Sequence, residues 1–224
     1  MEQEQKIPQA HWVFPTPITE FFSNWSKEDN DALVECIRNK EKTDKAENHA
    51  QYSMAGKTGY HTKDDLLLSD ESIIVKFKDL MQDVLNNHSI MVTGKPLAED
   101  TKIVGWGMIY REGDHSLTHQ HPLADLSACY YLEVPEIEKD TEEGCIVFLD
   151  PRPTGRFGNF SGNGLEIPVP AKAGVGLIFP SWLEHYVTPH YEKTERIALA
   201  INVFMPTCIG LETAFINKKD KEKV

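Results

Sequence analysis

The chain has 224 residues, of which 40% are hydrophobic and 26% are charged, a composition typical of an ordinary globular protein. Its 35 acidic residues outnumber its 23 basic residues, and the net charge of −12 argues against nucleic acid as a general partner. Because the sequence contains neither an apolar run long enough to span a bilayer nor a secretory signal, we expect a cytoplasmic protein without a membrane partner.

The N-terminal part of the chain predicts an extended segment followed by a helix. Residues 11–22 combine aromatic side chains with two prolines, which favours an edge strand. Ser26 is a candidate N-cap, since its hydroxyl can accept a hydrogen bond from the first turn of a helix. The predicted apolar face of this helix comprises Ala32, Leu33, Cys36 and Ile37.

A polar segment separates this helix from a second one. Residues 40–63 show little periodicity and predict a long surface loop or lid. Beyond them, Ser69 is a candidate cap for a helix whose apolar residues recur at helical spacing. That stripe comprises Ile73, Phe77, Leu80, Met81 and Val84.

From residue 102 the pattern changes to short β-type runs broken by Gly, Pro and Asp. Such runs predict a mainly β fold with flanking α-helices, either a sandwich or a jelly roll. We expect a single domain over residues 1–216, with the N-terminal strand and helices in 1–101, the β core in 102–205 and a frayed charged tail at 217–224. The predicted strands lie within 102–111, 126–134, 145–150, 164–171, 174–180, 185–190 and 196–204.

The last of these strands has two different faces. One face is entirely branched and apolar, so it requires a cover that the two helices can supply. The opposite face is small and polar, so it can line a cavity. The apolar face comprises Ile197, Leu199, Ile201 and Val203, and the other comprises Arg196, Ala198, Ala200 and Asn202.

Three histidines are candidates for a metal site. His119 and His121 stand two residues apart, a spacing that presents both imidazoles to one face of an extended segment. His185 begins a later predicted strand, and a jelly roll brings such strands together across its interior. Three neutral imidazoles on one side of a divalent ion leave other positions open for small molecules. The alternative for the His-x-His pair is simple polarity on an exposed strand.

The remaining histidines and the cysteines carry no such pattern. His115 fits a loop residue near the site entrance. The four cysteines are scattered and are expected to be free thiols, as in a reducing cytosol. The histidines predicted to lie at the surface are His11, His49, His61, His88 and His190.

Five segments of the chain also match a known pattern. They are VFPTPI, REGDHSLTHQHPLADLSACYYL, FLDPRP, GLIFPSWLEHYVTP and ERIALAINVF, and the match is densest over residues 103–204. Together they resemble the Fe(II)- and 2-oxoglutarate-dependent oxygenases, more narrowly a bacterial and phage branch with a His-x-His motif. The resemblance implies a double-stranded β-helix (jelly roll) with Fe(II) and 2-oxoglutarate as cofactors. It also implies an O2-dependent hydroxylase of a small molecule or a protein side chain, located in the host cytoplasm if the protein is viral.

The resemblance further implies roles for the matching residues. The family pattern is His-x-Asp, a distant His, and Arg or Lys about ten residues later. In this chain His121 stands where the usual carboxylate would be, and Arg196 follows His185 by eleven residues. Asp125 would be an acceptor beside the metal site or a substitute ligand. The metal ligands implied are His119, His121 and His185.

The resemblance also implies a cosubstrate pocket. Arg196 would bind the distal carboxylate of 2-oxoglutarate with its planar guanidinium. The lid candidates are the segments 40–63 and 155–164. Further pocket residues implied are Tyr110, Tyr131, Asn202 and Trp182.

Other interpretations stay open at this point. Arg196 can instead form a surface ion pair with Glu195 or Glu192, and the two tyrosines can be core residues with satisfied hydroxyls. The spacing of Gly113 and Pro180 before the histidines also occurs in cupins, which are three-histidine metalloenzymes that do not use 2-oxoglutarate. A non-catalytic metal- or ligand-binding jelly roll is a third possibility, and a homodimer is compatible with the fold.

Overall fold

The chain folds into two antiparallel sheets with two helices on one side. The computed structural model describes residues 15–44, 58–138, 140–152 and 166–206. The helical elements are α1 (Lys27–Thr43), a 3₁₀ helix (Leu66–Leu68) and α2 (Ser72–Thr93). The strands are β1 (Thr19–Phe22), β2 (Tyr60–His61), β3 (Lys102–Tyr110), β4 (Ser116–His119), β5 (Leu126–Glu133), β6 (Ile146–Leu149), β7 (Glu166–Val169), β8 (Val175–Pro180), β9 (His185–Val187) and β10 (Arg196–Phe204).

The strands form one large and one small sheet. The large sheet has the order β1-β8-β5-β10-β3-β2, and the small sheet has the order β4-β9-β6-β7. The prediction of a mainly β jelly roll with flanking helices is confirmed. β1 pairs with β8 at one end of the large sheet, as expected for an edge strand that follows two prolines. Across the described residues, no helix has the length and apolarity that crossing a membrane requires.

The first helix begins as predicted. The Ser26 side chain accepts a hydrogen bond from the Asp29 backbone N–H at 3.1 Å. The buried face comprises Leu33, Val34, Cys36 and Ile37. The prediction that Ala32 belongs to this face is wrong, because Ala32 lies just outside the arc that these four residues span and is exposed.

The second helix begins later than its predicted cap. Ser69 accepts a hydrogen bond from the Glu71 backbone N–H in the preceding turn, and the helix starts at Ser72 without a side-chain cap. The buried stripe runs Ile74, Phe77, Met81, Leu85 and His88, with the predicted Ile73, Leu80 and Val84 half-buried beside it. Gly94 ends the helix with φ 74°, a left-handed conformation that glycine adopts without a steric penalty.

The alternation in β10 separates two cores, as the sequence predicts. Ile197, Leu199, Ile201 and Val203 pack with α1 and α2 in the larger core. Ala198 faces the space between the two sheets, where it packs with Phe148 and Phe179. The helix layer approaches the sheet closely at Gly107, where a Cβ would lie only 2.8 Å from Ile37 Cγ1.

Several predictions about loops and thiols have definite outcomes. The expectation of a loop over 40–63 is wrong at its ends, since α1 continues to Thr43 and residues 60–61 form β2. Residues 45–57, the lid candidate 155–164 and the tail 217–224 lie outside the described residues. Strand β4 was not among the predicted strands. Among the described cysteines, Cys36, Cys129 and Cys145 are free and buried.

Candidate metal centre and anion pocket

Three histidines converge between the two sheets. The possible ligand atoms of His119, His121 and His185 all lie within 4.8 Å of one another. The antiparallel pairing of β4 with β9 places His119 opposite His185, and their ring centroids are 4.4 Å apart. His121 lies two residues beyond the end of β4, where its backbone N–H donates to the Ser181 carbonyl at 2.9 Å. The rings of His121 and His185 are parallel at 5.3 Å.

Backbone carbonyls fix the tautomer of two of these rings. His119 Nδ1 lies 2.8 Å from the Leu117 carbonyl, and His185 Nδ1 lies 2.8 Å from the Leu183 carbonyl. A carbonyl can only accept, so each Nδ1 carries the proton and donates it. The lone pair of each ring is then on Nε2, which is the form that a metal ion requires.

Aromatic side chains hold the rings in place. Phe179 contacts the His185 ring edge-on at 4.9 Å, and Phe148 lies 6.0 Å away on the neighbouring strand. The Trp106 indole stacks on His121 with a centroid distance of 5.8 Å. Such packing restricts ring rotation, so the cluster is preorganised.

The histidines open into a cavity between the sheets with a volume of about 40 Å³. At ~10–15 Å³ per water position, this space holds roughly three waters, which suits a small ligand. Its walls come from β3, β4, β5, β6, β8, β9 and β10. They include His119, His121, His185, Trp106, Met108, Tyr110, Cys129, Tyr131 and Arg196.

Arg196 brings a positive charge into this cavity. Its side chain is only 2% exposed, and its Nε and Nη1 have no hydrogen-bond partner among the described residues. The guanidinium carbon lies 4.9 Å from the Tyr131 ring centroid and 5.6 Å from that of Tyr110. The surface ion-pair interpretation is therefore wrong, and Glu195 pairs instead with Arg38 and Arg111.

The two tyrosines beside Arg196 are buried and neutral. Burial raises the pKa of Tyr110 to about 12, although the nearby Arg196 charge lowers it in part. Burial also raises the pKa of Tyr131 well above its usual value. Both hydroxyls therefore keep their protons at neutral pH and can donate hydrogen bonds to an anion.

The other predicted pocket residues, Asn202, Asp125 and Trp182, do not line the cavity. The Asn202 side-chain oxygen accepts a hydrogen bond from Ser127 Oγ at 3.1 Å. Asp125 accepts a hydrogen bond from the Met205 backbone N–H at 2.6 Å and lies outside the histidine cluster. Trp182 is 51% exposed and does not line the cavity.

Two histidine predictions are wrong. His88 is buried on α2 and its Nδ1 lies 2.8 Å from Thr19 Oγ1, so it joins the helix to β1. His190 is fully buried, with Nε2 3.3 Å from the Tyr110 carbonyl. His61 is half-buried on β2, and His115 occupies the loop before β4, outside the cluster. His11 and His49 lie outside the described residues.

Trp106 was not among the predicted site residues, although the sequence carried a signal for it. Residues 106, 108 and 110 alternate along β3, so Trp106 shares a face with Tyr110, which was predicted. The register of β3 with β10 places Tyr110 opposite Arg196 and Trp106 opposite Ala200. Trp106 therefore lies on the histidine side of the cavity, and Tyr110 lies on the arginine side.

The fold resembles solved structures from several organisms. A prolyl-4-hydroxylase from Pseudomonas putida has a TM-score of 0.59 at 16% identity, covering 84% of this chain and 92% of that one. HygX from Streptomyces hygroscopicus, with nickel and 2-oxoglutarate bound, has a TM-score of 0.56 at 11% identity, with coverages of 86% and 83%. A Trichoplax adhaerens prolyl hydroxylase, in complex with a hypoxia inducible factor peptide fragment, has a TM-score of 0.56 at 14% identity, with coverages of 84% and 83%.

A second comparison concerns sequence. No curated protein matches the chain. Residues 105–202 match the model of the family described as "Putative 2OG-Fe(II) oxygenase". The matched segment contains the three clustered histidines and Arg196, and its fold is that of the solved oxygenase structures. Over residues 105–202 the chain thus matches the 2OG-Fe(II) oxygenase family model in sequence, and its fold is that of solved oxygenases.

Proposed function

We propose that this protein is an Fe(II)- and 2-oxoglutarate-dependent dioxygenase that hydroxylates a small molecule or a protein side chain. The observation that carries the proposal is the pairing of two features in one cavity. A three-histidine cluster occupies one side, and on the other lies a buried arginine whose Nε and Nη1 have no hydrogen-bond partner in the described part of the chain. The family of residues 105–202 and the 2-oxoglutarate bound in HygX agree with it.

In this proposal His119, His121 and His185 bind Fe(II). The cluster fits a divalent ion, because two of its rings donate Nδ1–H to backbone carbonyls, which makes Nε2 the ligand atom, and the possible ligand atoms lie within 4.8 Å of one another. Imidazole suits iron, and three protein ligands leave positions for a chelating cosubstrate and O2. Asp125 is not needed as a ligand, since its carboxylate is hydrogen-bonded to the backbone of Met205.

Arg196 binds the distal carboxylate of 2-oxoglutarate in the same proposal. Buried donors without partners are costly, and Nε and Nη1 of Arg196 have none among the described residues. A carboxylate that binds Nε together with Nη2, or Nη1 together with Nη2, would satisfy one of these nitrogens through a bidentate contact. Tyr110 and Tyr131 lie beside the guanidinium as neutral donors. Trp106 beside His121 and Tyr110 beside Arg196 are four residues apart on β3, or about 13 Å at ~3.3 Å per residue. The histidine side and the arginine side of the cavity are therefore separate, as a diacid held at both ends requires.

Bound Fe(II) would supply the redox chemistry, in which 2-oxoglutarate and O2 are converted to succinate and CO2 while a substrate C–H bond is oxidised. The chain's own residues position the reactants and exclude water. Phe148 and Phe179 shield the inner side of His185. Arg196 orients the diacid by its far end.

The proposal is tested by adding Fe(II) and 2-oxoglutarate to the apo protein without oxygen. A weak visible charge-transfer band is expected, followed by slow succinate formation once oxygen is admitted. Metal binding without any response to 2-oxoglutarate would contradict the proposal and favour the cupin-like alternative. Absence of metal binding would favour the non-catalytic jelly roll.

A further inference from the structure

The cavity contains no carboxylate among the described residues, although the chain carries 35 acidic side chains. Its ionisable lining consists of three imidazoles, one guanidinium, two buried tyrosines and one buried thiol. The neighbouring acids have other partners. The Asp125 carboxylate accepts from the Met205 N–H, and the Asp114 carboxylate accepts from the Arg111 N–H at 2.8 Å. The interior of this acidic protein is therefore locally cationic.

The positive charge in the cavity should weaken the binding of a metal ion on its own. A divalent ion on three neutral imidazoles keeps its full charge, and it shares a small cavity with the Arg196 guanidinium. Like charges repel more strongly in a cavity that contains little water than in bulk water. A metal ion alone therefore binds against repulsion, whereas a dianion that touches both cationic groups removes it.

We propose that the metal ion and a dianionic chelator load as a coupled pair, with the metal held weakly until the dianion bridges it to Arg196. The inference rests on the proposed function for the identity of the dianion, 2-oxoglutarate. Coupling between two ligands is reciprocal, so the metal must tighten 2-oxoglutarate binding by the factor by which 2-oxoglutarate tightens metal binding. A monoanionic chelator that cannot reach Arg196 should couple less.

The coupling is measured by titrating the apo protein with Co(II) in a calorimeter, alone and with saturating 2-oxoglutarate. A protein-free titration corrects for complex formation in solution. We expect 2-oxoglutarate to tighten Co(II) binding on the order of 100-fold, near the upper end of ordinary coupling between sites. We expect 2-oxobutanoate, which chelates but lacks the second carboxylate, to tighten it less than tenfold.

A matched pair of variants tests whether charge is the cause. His121→Asp places a carboxylate in the cluster, and His121→Asn places a neutral group of the same shape there. His121 is only half-buried, so both variants should fold, and circular dichroism checks this. His121→Asp should bind Co(II) alone more tightly than His121→Asn and should reduce the 2-oxoglutarate coupling at least tenfold. Equal Co(II) affinities in the two variants would contradict the electrostatic explanation.

The outcomes separate this inference from the proposed function. If 2-oxoglutarate tightens Co(II) binding no more than 2-oxobutanoate does, the coupling through Arg196 is refuted, whereas the proposed function survives because chelation of the metal remains. If neither ligand changes the affinity of the other, 2-oxoglutarate does not chelate the metal and both proposals fail. If Co(II) binds and 2-oxoglutarate does not, both proposals fail together. If Co(II) fails to bind under either condition, the metal site itself is refuted.

Discussion

The substitution Arg196→Met distinguishes the contribution of this residue to the stability of the fold from its contribution to 2-oxoglutarate binding. The substitution keeps most of the stem and removes the guanidinium. In the protein without ligands, Arg196 is buried and two of its donors have no partner among the described residues. Two opposing effects on the free energy of unfolding are therefore expected in Arg196→Met.

The favourable effect is the removal of two unsatisfied donors, each costing about 1–3 kcal/mol. The unfavourable effect is the loss of the guanidinium contacts with the rings of Tyr110 and Tyr131, each worth up to ~2 kcal/mol when desolvated. These effects are similar in size, so we expect the unfolding free energy of the apo protein to change by less than about 2 kcal/mol. Breaking a buried ion pair would cost more, about 3–5 kcal/mol.

Binding should respond very differently. A bidentate, charge-assisted contact to a carboxylate contributes about 1.5–3 kcal/mol for each bond. Loss of the contact should therefore raise the Kd of 2-oxoglutarate at least ~100-fold, since each tenfold corresponds to about 1.4 kcal/mol.

The free energy of unfolding is measured by urea denaturation of the apo protein. The Kd of 2-oxoglutarate is measured by calorimetric titration in the presence of Co(II). A variant that unfolds 3–5 kcal/mol more easily but binds 2-oxoglutarate normally would show that Arg196 is structural.

Three further predictions concern the fold. Burial lowers the pKa of His88, so stability present above the unfolded pKa of ~6.5 is lost as the pH falls below it; urea unfolding at pH 7.5 and 5.5 should show a smaller loss in His88→Gln than in the wild type. Gly107→Ala should lower the unfolding free energy by about 1–3 kcal/mol because the new Cβ overlaps Ile37, and the cost should shrink in an Ile37→Ala background; an equal cost in both backgrounds would refute the close approach. Leu123 is 78% exposed with φ 75°, so Leu123→Gly should raise the melting temperature slightly by removing strain of about 1–2 kcal/mol; the control Leu117→Gly, in β4, should lower it.

The sequence predicted those parts of the fold whose side chains alternate or recur without interruption. The pattern of β10 revealed its two faces, because branched apolar residues at 197, 199, 201 and 203 alternate with residues of other types. Strand β4 was missed, since its four residues are few and include polar side chains. The same short strand nevertheless positions His119 opposite His185.

The burial of two histidines, His88 and His190, was not predicted from the sequence, for two different reasons. His88 continues the stripe of Phe77, Met81 and Leu85 at helical spacing, so the helical periodicity alone would have predicted its burial. Its polarity instead led to the prediction of a surface position. His190 has no such signal, because its burial depends on a contact with the Tyr110 carbonyl far away in the chain. The burial of Arg196 likewise depends on contacts with Tyr110 and Tyr131, which are far away in the chain.

The alternation of β10 constrains how this protein can change in length. Alternate residues from Ile197 to Val203 face the helices, whereas Arg196 and Ala200 line the cavity. The register is shared with β3 on one side and β5 on the other. Inserting or deleting one residue between Arg196 and Phe204 would exchange the two faces beyond that point. Small residues would then meet the helices, and isoleucine or leucine would enter the cavity. Relatives of this protein should therefore vary in length in the connections between strands, while the spacing within residues 196–204 stays fixed.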